Sequence, residues 1–330
     1  VNYYSSAPTL QDALRNVVID SPRQLYAAQL ELIILSEEAA TNHMSEILEY
    51  FSREPESRTE VKFVIARDDD STKAVTIQTL LTNFSSSNIK QSLELQQKVL
   101  GLTPVYTLNE LLNMYLDPTL EISLPSIIVY GNAEEGDKKE NITTSTPKAL
   151  TKIGTTAIFK GKDFLGYLTE EESKVHSIII GSTKESIINL DYKDNYSVFE
   201  LYKIESDISP DIKDNKITLN ISGKARIKEF HSNTNITKSK ETDRLNKELN
   251  KHIEDIIKKN FNSMREKYNT DIFNFRQSFY RGNPKYYNTH YKDTWYESIF
   301  PNLTLEVKSN IKLYEKGNTL GGIEYENKNN

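Results

Sequence analysis

The side chains best suited to chemistry in this sequence are five histidines, several carboxylate runs and one aromatic-basic stretch near the C-terminus. His43, His176, His231, His252 and His290 show no HExxH or HxxxH spacing, so no helix offers two imidazoles to a zinc ion. There are no cysteines, which excludes disulfides, thiolate metal sites and Cys nucleophiles. No GxSxG, GxGxxG or GxxxxGK[ST] pattern occurs, and Gly161, Gly166 and Gly181 stand alone. Asp68-Asp69-Asp70 lacks the DxDxDG order of a calcium loop and reads as a solvated turn. Glu170-Glu171-Glu172 reads as first-turn acids facing a helix dipole. Glu134, Glu135 and Asp137 fall in a polar loop, and no two carboxylates sit in visibly opposed environments. The sequence therefore assigns no catalytic, cofactor-binding or metal-ligating residue, and points away from an enzyme.

The aromatic-basic stretch holds Tyr280, Tyr286, Tyr287, Tyr291, Trp295 and Tyr296 among Arg281, Lys285, His290 and Lys292. Such a mixture can stack bases or sugars while cations read phosphate. It can equally pack as the corner of a fold. Asp271 to Phe279 precedes it with apolar residues, and Pro301 leads straight into an apolar strand. That framing predicts packing, with Trp295 and at least one of Tyr286 and Tyr287 buried and the basic residues on the rim. The net charge of -6 leaves no general footprint for phosphate, so nucleic acid is not an expected partner. Several Asn-x-Ser/Thr triplets, among them those at Asn83, Asn141, Asn220 and Asn235, are what chance gives in so Asn-rich a chain.

These residues need elements to hold them. Thr9 caps a helix with Leu10, Ala13, Leu14, Val17 and Val18 on one face, ended by Ser21-Pro22. Leu30 to Leu35 and Val61 to Ala66 read as buried strands around a helix from Glu37 to Phe51, which is a βαβ crossover. Asn88 to Leu100 reads as a helix stopped by Gly101. Thr107 and Glu110 form a capping box for a helix burying Leu108, Leu111, Leu112 and Tyr115 and ending at Asp117-Pro118. Ile127 to Tyr130 is a strand, and Gly131 to Pro147 an exposed loop. Thr156 to Phe159 and Phe164 to Leu168 flank a turn at Lys160-Gly161-Lys162-Asp163. Thr169 caps a short helix, and Ile178 to Ile180 follows.

From about residue 185 the pattern becomes β alternation, over Tyr196 to Ile204, Lys216 to Ile221 and Ala225 to Phe230, with Gly223 as a bulge or turn. Thr242 to Tyr268 is the longest helix, with Leu245, Leu249, Ile253, Ile256, Ile257, Met264 and Tyr268 in one stripe. Leu303, Leu305, Val307, Ile311 and Leu313 face one side of a last strand. Strands, a long helix and a strand make an α+β domain.

A chain of 330 residues exceeds one ordinary core. The expected fold is α+β in three domains, each a mixed sheet with helices packed on it: 1–70, 71–190, and 191–326 with the long helix 242–268. No apolar run reaches the roughly 20 residues of a membrane span. The chain starts at Val1 rather than Met, so any signal peptide or lipid attachment site is expected upstream.

The order of local phrases resembles a known family. Near the start stand Ser21-Pro-Arg-Gln-Leu-Tyr26, Ile34-Leu-Ser-Glu-Glu-Ala39 and Phe51-Ser-Arg53 with Glu56-Ser-Arg58. Then come Thr155-Thr-Ala-Ile-Phe-Lys160, Phe164-Leu-Gly-Tyr-Leu168 and Thr169-Glu-Glu-Glu172. Asp271-Ile-Phe-Asn-Phe275 resembles a D-x-F/L-G-F segment with Asn274 in place of the usual glycine. Arg281, Pro284-Lys285, Trp295 and Phe300-Pro301 resemble an R-x-x-P-x-x-W…W…F-P run, with Tyr286 or Tyr287 where a first Trp often stands. Together they resemble the Ger(x)C spore germination lipoproteins, the C subunits of nutrient germinant receptors.

The resemblance implies three α+β domains, with the family's earliest strands lying before Val1 and the first sheet correspondingly incomplete. It implies a lipid anchor upstream of Val1 on the outer face of the spore inner membrane. It also implies work alongside a membrane-embedded A subunit and a B subunit, without enzymatic activity. The alternative reading is a soluble binding protein for a small polar ligand, an amino acid or a sugar, in an interdomain cleft.

Overall fold

The computed structural model describes residues 2–21, 29–54, 60–69, 71–79, 85–193, 195–232, 236 and 238–315. Backbone contacts divide the chain into two compact units: Val1–Leu95 with Val105–Tyr167, and Gln96–Pro104 with Leu168–Asn330. Three sheets are present among the described residues, each with helices packed on it, so the α+β fold class holds. No described helix is long and apolar enough to cross a membrane.

The first unit opens with α1 (Leu10–Asn16), capped by Thr9, whose hydroxyl accepts from the Asp12 amide. Its apolar face is less buried than the spacing predicts: Val17 is buried, but Val18 is 51% exposed. The Pro22 end of this helix lies outside the described residues. β1 (Leu32–Ser36) pairs in parallel with β2 (Lys62–Ala66), as a crossover requires. The intervening helix is two helices, α2 (Glu37–Asn42) and α3 (Met44–Arg53), broken at His43, whose backbone has φ -128° and ψ 10°. Phe63 and Ile65 face α3, while Val64 and Ala66 face the other side. A strand buried on both faces has no polar alternation to show, which is why its run is continuously apolar.

α4 (Ser71–Thr76), α5 (Ser85–Val99) and α6 (Leu108–Leu116) follow, and both halves of the expected capping box are made at Thr107 and Glu110. Leu108 and Leu111 are buried as expected, whereas Leu112 and Tyr115 are only partly so. After β3 (Ser123–Leu124) and β4 (Ser126–Gly131), the expected open loop contains two helical turns, α7 (Ala133–Gly136) and α8 (Glu140–Thr143).

The reason is Asn141, which is 1% exposed. Its Nδ2 donates to the Gln78 and Ala149 carbonyls, both at 3.0 Å. Its Oδ1 accepts from the Lys148 and Ala149 amides at 2.7 and 3.1 Å. One side chain thus satisfies the backbone of a polar segment that would otherwise need water. β5 (Ala149–Ile153) completes the sheet β1-β2-β4-β5, and β6 (Ala157–Lys160) with β7 (Asp163–Tyr167) joins β3 in a second sheet.

The second unit starts at the tail of α5. Gln96 bonds both backbone groups of Thr103 and closes a turn around Gly101, whose φ is +60°. A Cβ at Gly101 would lie 2.5 Å from the Thr183 hydroxyl, so the position is glycine for space as well as conformation. α9 (Glu170–Ile179) absorbs the apolar run at 178, which continues the helix instead of starting a new element. β8 (Glu185–Tyr192), β9 (Asn195–Asp211) and β10 (Lys216–Phe230) are antiparallel, and β11 (Thr304–Glu315) lies parallel to β10 in the order β11-β10-β9-β8. Gly223 is the expected bulge, since pairing skips from Ser222 to Lys224 there. α10 (Ser239–Tyr268) packs its stripe on this sheet, with Leu245, Leu249, Ile253, Ile257, Phe261 and Met264 buried. Ile256 and Tyr268 from the expected stripe lie at its half-buried margins.

Candidate functional site

The aromatic-basic stretch becomes α11 (Phe275–Gly282), α12 (Pro284–His290) and a π-helical turn at Trp295–Ile299. Asn283 caps α12 by accepting from the Tyr286 amide at 3.0 Å, with Pro284 in the first turn where no amide is needed. Trp295 and Tyr287 are 1% and 2% exposed. Trp295 meets the ring of Phe279 edge-on at 5.4 Å and stacks on Phe300 at 6.2 Å. Phe261 of α10, Phe273 and Phe275 extend the same cluster. Tyr286 lies at the surface, 36% exposed, against His290 at 4.4 Å. Arg281, Lys285, His290 and Lys292 are exposed on the rim. The stretch is therefore packing of the second unit, with no row of exposed rings along a groove.

Asp271 anchors this cluster. It is fully buried, and its carboxylate accepts from the amides of Phe273, Phe275 and Arg276 at 3.2, 3.3 and 2.5 Å. The chain can then turn through Asn274, whose φ is +65°. Glycine is the easiest residue there and asparagine the next, so Asn274 suits the turn.

The carboxylates at the start of α9 are also structural. Glu172 is 5% exposed; it accepts from the Thr169 amide at 2.9 Å and from the Ser263 hydroxyl at 3.1 Å. Glu170 pairs with Lys174 at 2.6 Å, and Glu171 with Lys259 at 3.7 Å. The histidines stand on separate elements with local partners. His43 meets Glu46, His231 meets Glu229, and His252 meets the Asn189 carbonyl. His176 is fully buried, with Nε2 2.9 Å from the Ile272 carbonyl and Nδ1 buried without a hydrogen bond. Burial holds its imidazole down at about 4, against the pull of the Ile272 carbonyl. Among the described residues, no three His, Asp or Glu side chains gather as a metal would need.

Sequence reasoning missed two features. In the first unit, the Arg67 guanidinium stacks on Tyr167 at 3.9 Å and donates to Ser126 and Thr155 at 3.1 and 2.5 Å. The Tyr167 hydroxyl donates to Glu37 at 2.5 Å, and burial first, then that bond, push it upward. This network clasps β7 to the end of β2. In the second unit, a groove of about 480 Å³ runs beside β8, floored by Val175, Ile178, Ile253 and Ile257 and rimmed by the paired charges of α9 and α10. No local motif marks either, because each joins residues distant in sequence.

Comparison with known proteins gives a consistent assignment. A model described as spore germination B3/GerAC-like, C-terminal, matches residues 154–317, and one described as spore germination protein N-terminal domain matches residues 1–129. The spore germination protein KC of Bacillus subtilis (strain 168) is 23% identical over 324 residues, spanning 96% of this chain and 79% of that protein. The crystal structure of the GerBC protein superposes with a TM-score of 0.58 at 18% identity, covering 90% of this chain and 83% of that one, a likeness of fold.

Proposed function

The chain belongs to the GerAC-like family of spore germination proteins, and from that premise we propose that it is the non-enzymatic, lipid-anchored C subunit of a nutrient germinant receptor. It acts through contacts with a membrane-embedded A subunit and a B subunit. Its place is the outer face of the spore inner membrane, held by an N-terminal lipid upstream of Val1. The observation that carries this reading is the tandem match of the family's N-terminal and C-terminal models, in order, along 1–129 and 154–317. The local roles of the carboxylates and histidines support a protein that works by its surfaces.

The test is genetic and biochemical. Deleting the gene abolishes nutrient-triggered germination and leaves germination by a non-nutrient trigger intact. Normal nutrient germination, with no second gene compensating, overturns the receptor role. The full-length gene carries a lipobox cysteine, and its change to Ala moves the protein to the soluble fraction. A leader without that cysteine overturns the anchor. Calorimetry with millimolar amino acids or sugars separates a direct ligand-binding role, since a subunit acting by contacts alone gives no heat.

A further inference from the structure

The sheet β11-β10-β9-β8 has two edges, and the protein treats them differently. Along β11 the outward amides of Ser309, Ile311 and Leu313 donate to Glu254, Asn250 and Asn246 of α10 at 2.9, 2.7 and 2.8 Å. The acceptors recur every four helical residues, about 6 Å, and the donors every two strand residues, about 6.7 Å, so the two rows stay in step. That edge is closed by its own helix.

The β8 edge has no such row. Tyr192 and Asn195 pair across a two-residue connection, which makes them a hydrogen-bonded pair. Counting back by twos, Leu190, Ile188 and Ser186 turn their backbone groups to β9, while Asp191, Asn189 and Ile187 turn theirs outward. The Asn189 carbonyl fits this count, since it meets His252 Nε2 at 2.8 Å. The centre of the strand, Ser186-Ile-Ile-Asn-Leu190, carries no charge, and Ile187 is 42% exposed. Here His252 takes the Asn189 carbonyl, and Glu185 and Asp191 put charge at the strand ends, but an edge with an uncharged centre is still what sheet proteins avoid unless something covers it.

We propose that the β8 edge and the groove beside it form a strand-addition site for an extended, uncharged, aliphatic segment of a partner protein. Main-chain bonds to Ile187, Asp191 and the Asn189 amide set its register, and alternate side chains lie along Ile187, Ile188 and Ile256, which line the groove. The rim decides its charge: Lys174 and Lys259 are already paired with Glu170 and Glu171, so the groove offers no unbalanced charge to a charged segment. The site stands on the edge geometry alone and does not depend on the receptor reading.

A photo-crosslinking residue, p-benzoylphenylalanine, placed at position 189 of the full-length protein in its own host tests this. The expected product maps by mass spectrometry to an aliphatic strand segment of a different protein. It falls at least tenfold with Ile187→Pro, which removes an outward amide but no ladder bond, and with Ile256→Lys, which charges the groove wall. Circular dichroism and the thermal midpoint check each fold, and if the proline variant unfolds, Ile256→Lys decides. No cross-link, a cross-link to β8 of a second copy, or a product indifferent to the substitutions overturns the site.

Discussion

His176 sets a pH limit on stability. An unfolded histidine titrates near 6.5, and this one is held at about 4. Between those values the unfolded chain takes up a proton that the folded chain refuses. Stability is therefore full above pH 6.5 and falls as pH drops toward 4, by about 3 kcal/mol over the whole interval. His176→Gln keeps a donor for the Ile272 carbonyl and removes the titration. Urea midpoints at pH 7 and pH 4.5 should drop more steeply for the wild type than for this variant; parallel curves would show that the imidazole is not responsible. Asn141 makes a second prediction. Its four backbone bonds have no replacement in Asn141→Ala, which should cost about 2–4 kcal/mol in a denaturant titration. A glycan at this Asn-Ile-Thr triplet is incompatible with such burial. The triplet was legible in the sequence, but the burial was not, because it depends on Gln78 and Ala149 closing around the side chain. Asn274 is a related case: asparagine tolerates the left-handed conformation, but that this residue adopts it, with φ of +65°, comes from the structure.

At the scale of elements, what local chemistry specifies was readable. Thr107 and Thr169 announce their helices because each cap is closed within three residues. The stripe of α10 and the bulge at Gly223 are likewise local. The break at His43 was invisible, since Ala40, Met44, Ile47 and Phe51 still face one core on both sides of it. The ladder of Asn246, Asn250 and Glu254 was hidden for a related reason. Polar residues at i, i+4 and i+8 look like an ordinary solvated face until β11 arrives alongside. Replacing Asn246 and Asn250 together by Ala strips the acceptors from the amides of Leu313 and Ile311. The expected results are a loss of about 2–4 kcal/mol and concentration-dependent dimers in sedimentation velocity, as two bared edges pair. A variant that stays monomeric at every concentration would show that the helix covers the edge by bulk rather than by bonds.

At the scale of the molecule, the division into 1–70, 71–190 and 191–326 remains a proposal about how the chain comes apart. Sheet β1-β2-β4-β5 draws strands from both sides of position 70, because the parallel pairing of β2 with β4 at Ile65 and Ser126 needs a long crossover. Contacts between residues group the chain with boundaries near 95–105 and 167 instead. Cores built by such crossovers unfold as units, since removing one parallel strand bares the backbone edge of its neighbour and uncovers the helices packed across both strands. Limited proteolysis under mild denaturant separates the two arrangements. Stable fragments ending near 70 and 190 support three folding domains. Nicks confined to the neighbourhood of 95–105 and 167, with 1–70 degrading whenever 105–167 is lost, support two units that each close their own core. The second outcome is the one expected from Phe63 and Ile65, whose shared cluster includes Leu108, Leu111, Leu124 and Phe159 from beyond position 70. A fragment 1–70 that resists digestion alone would overturn it.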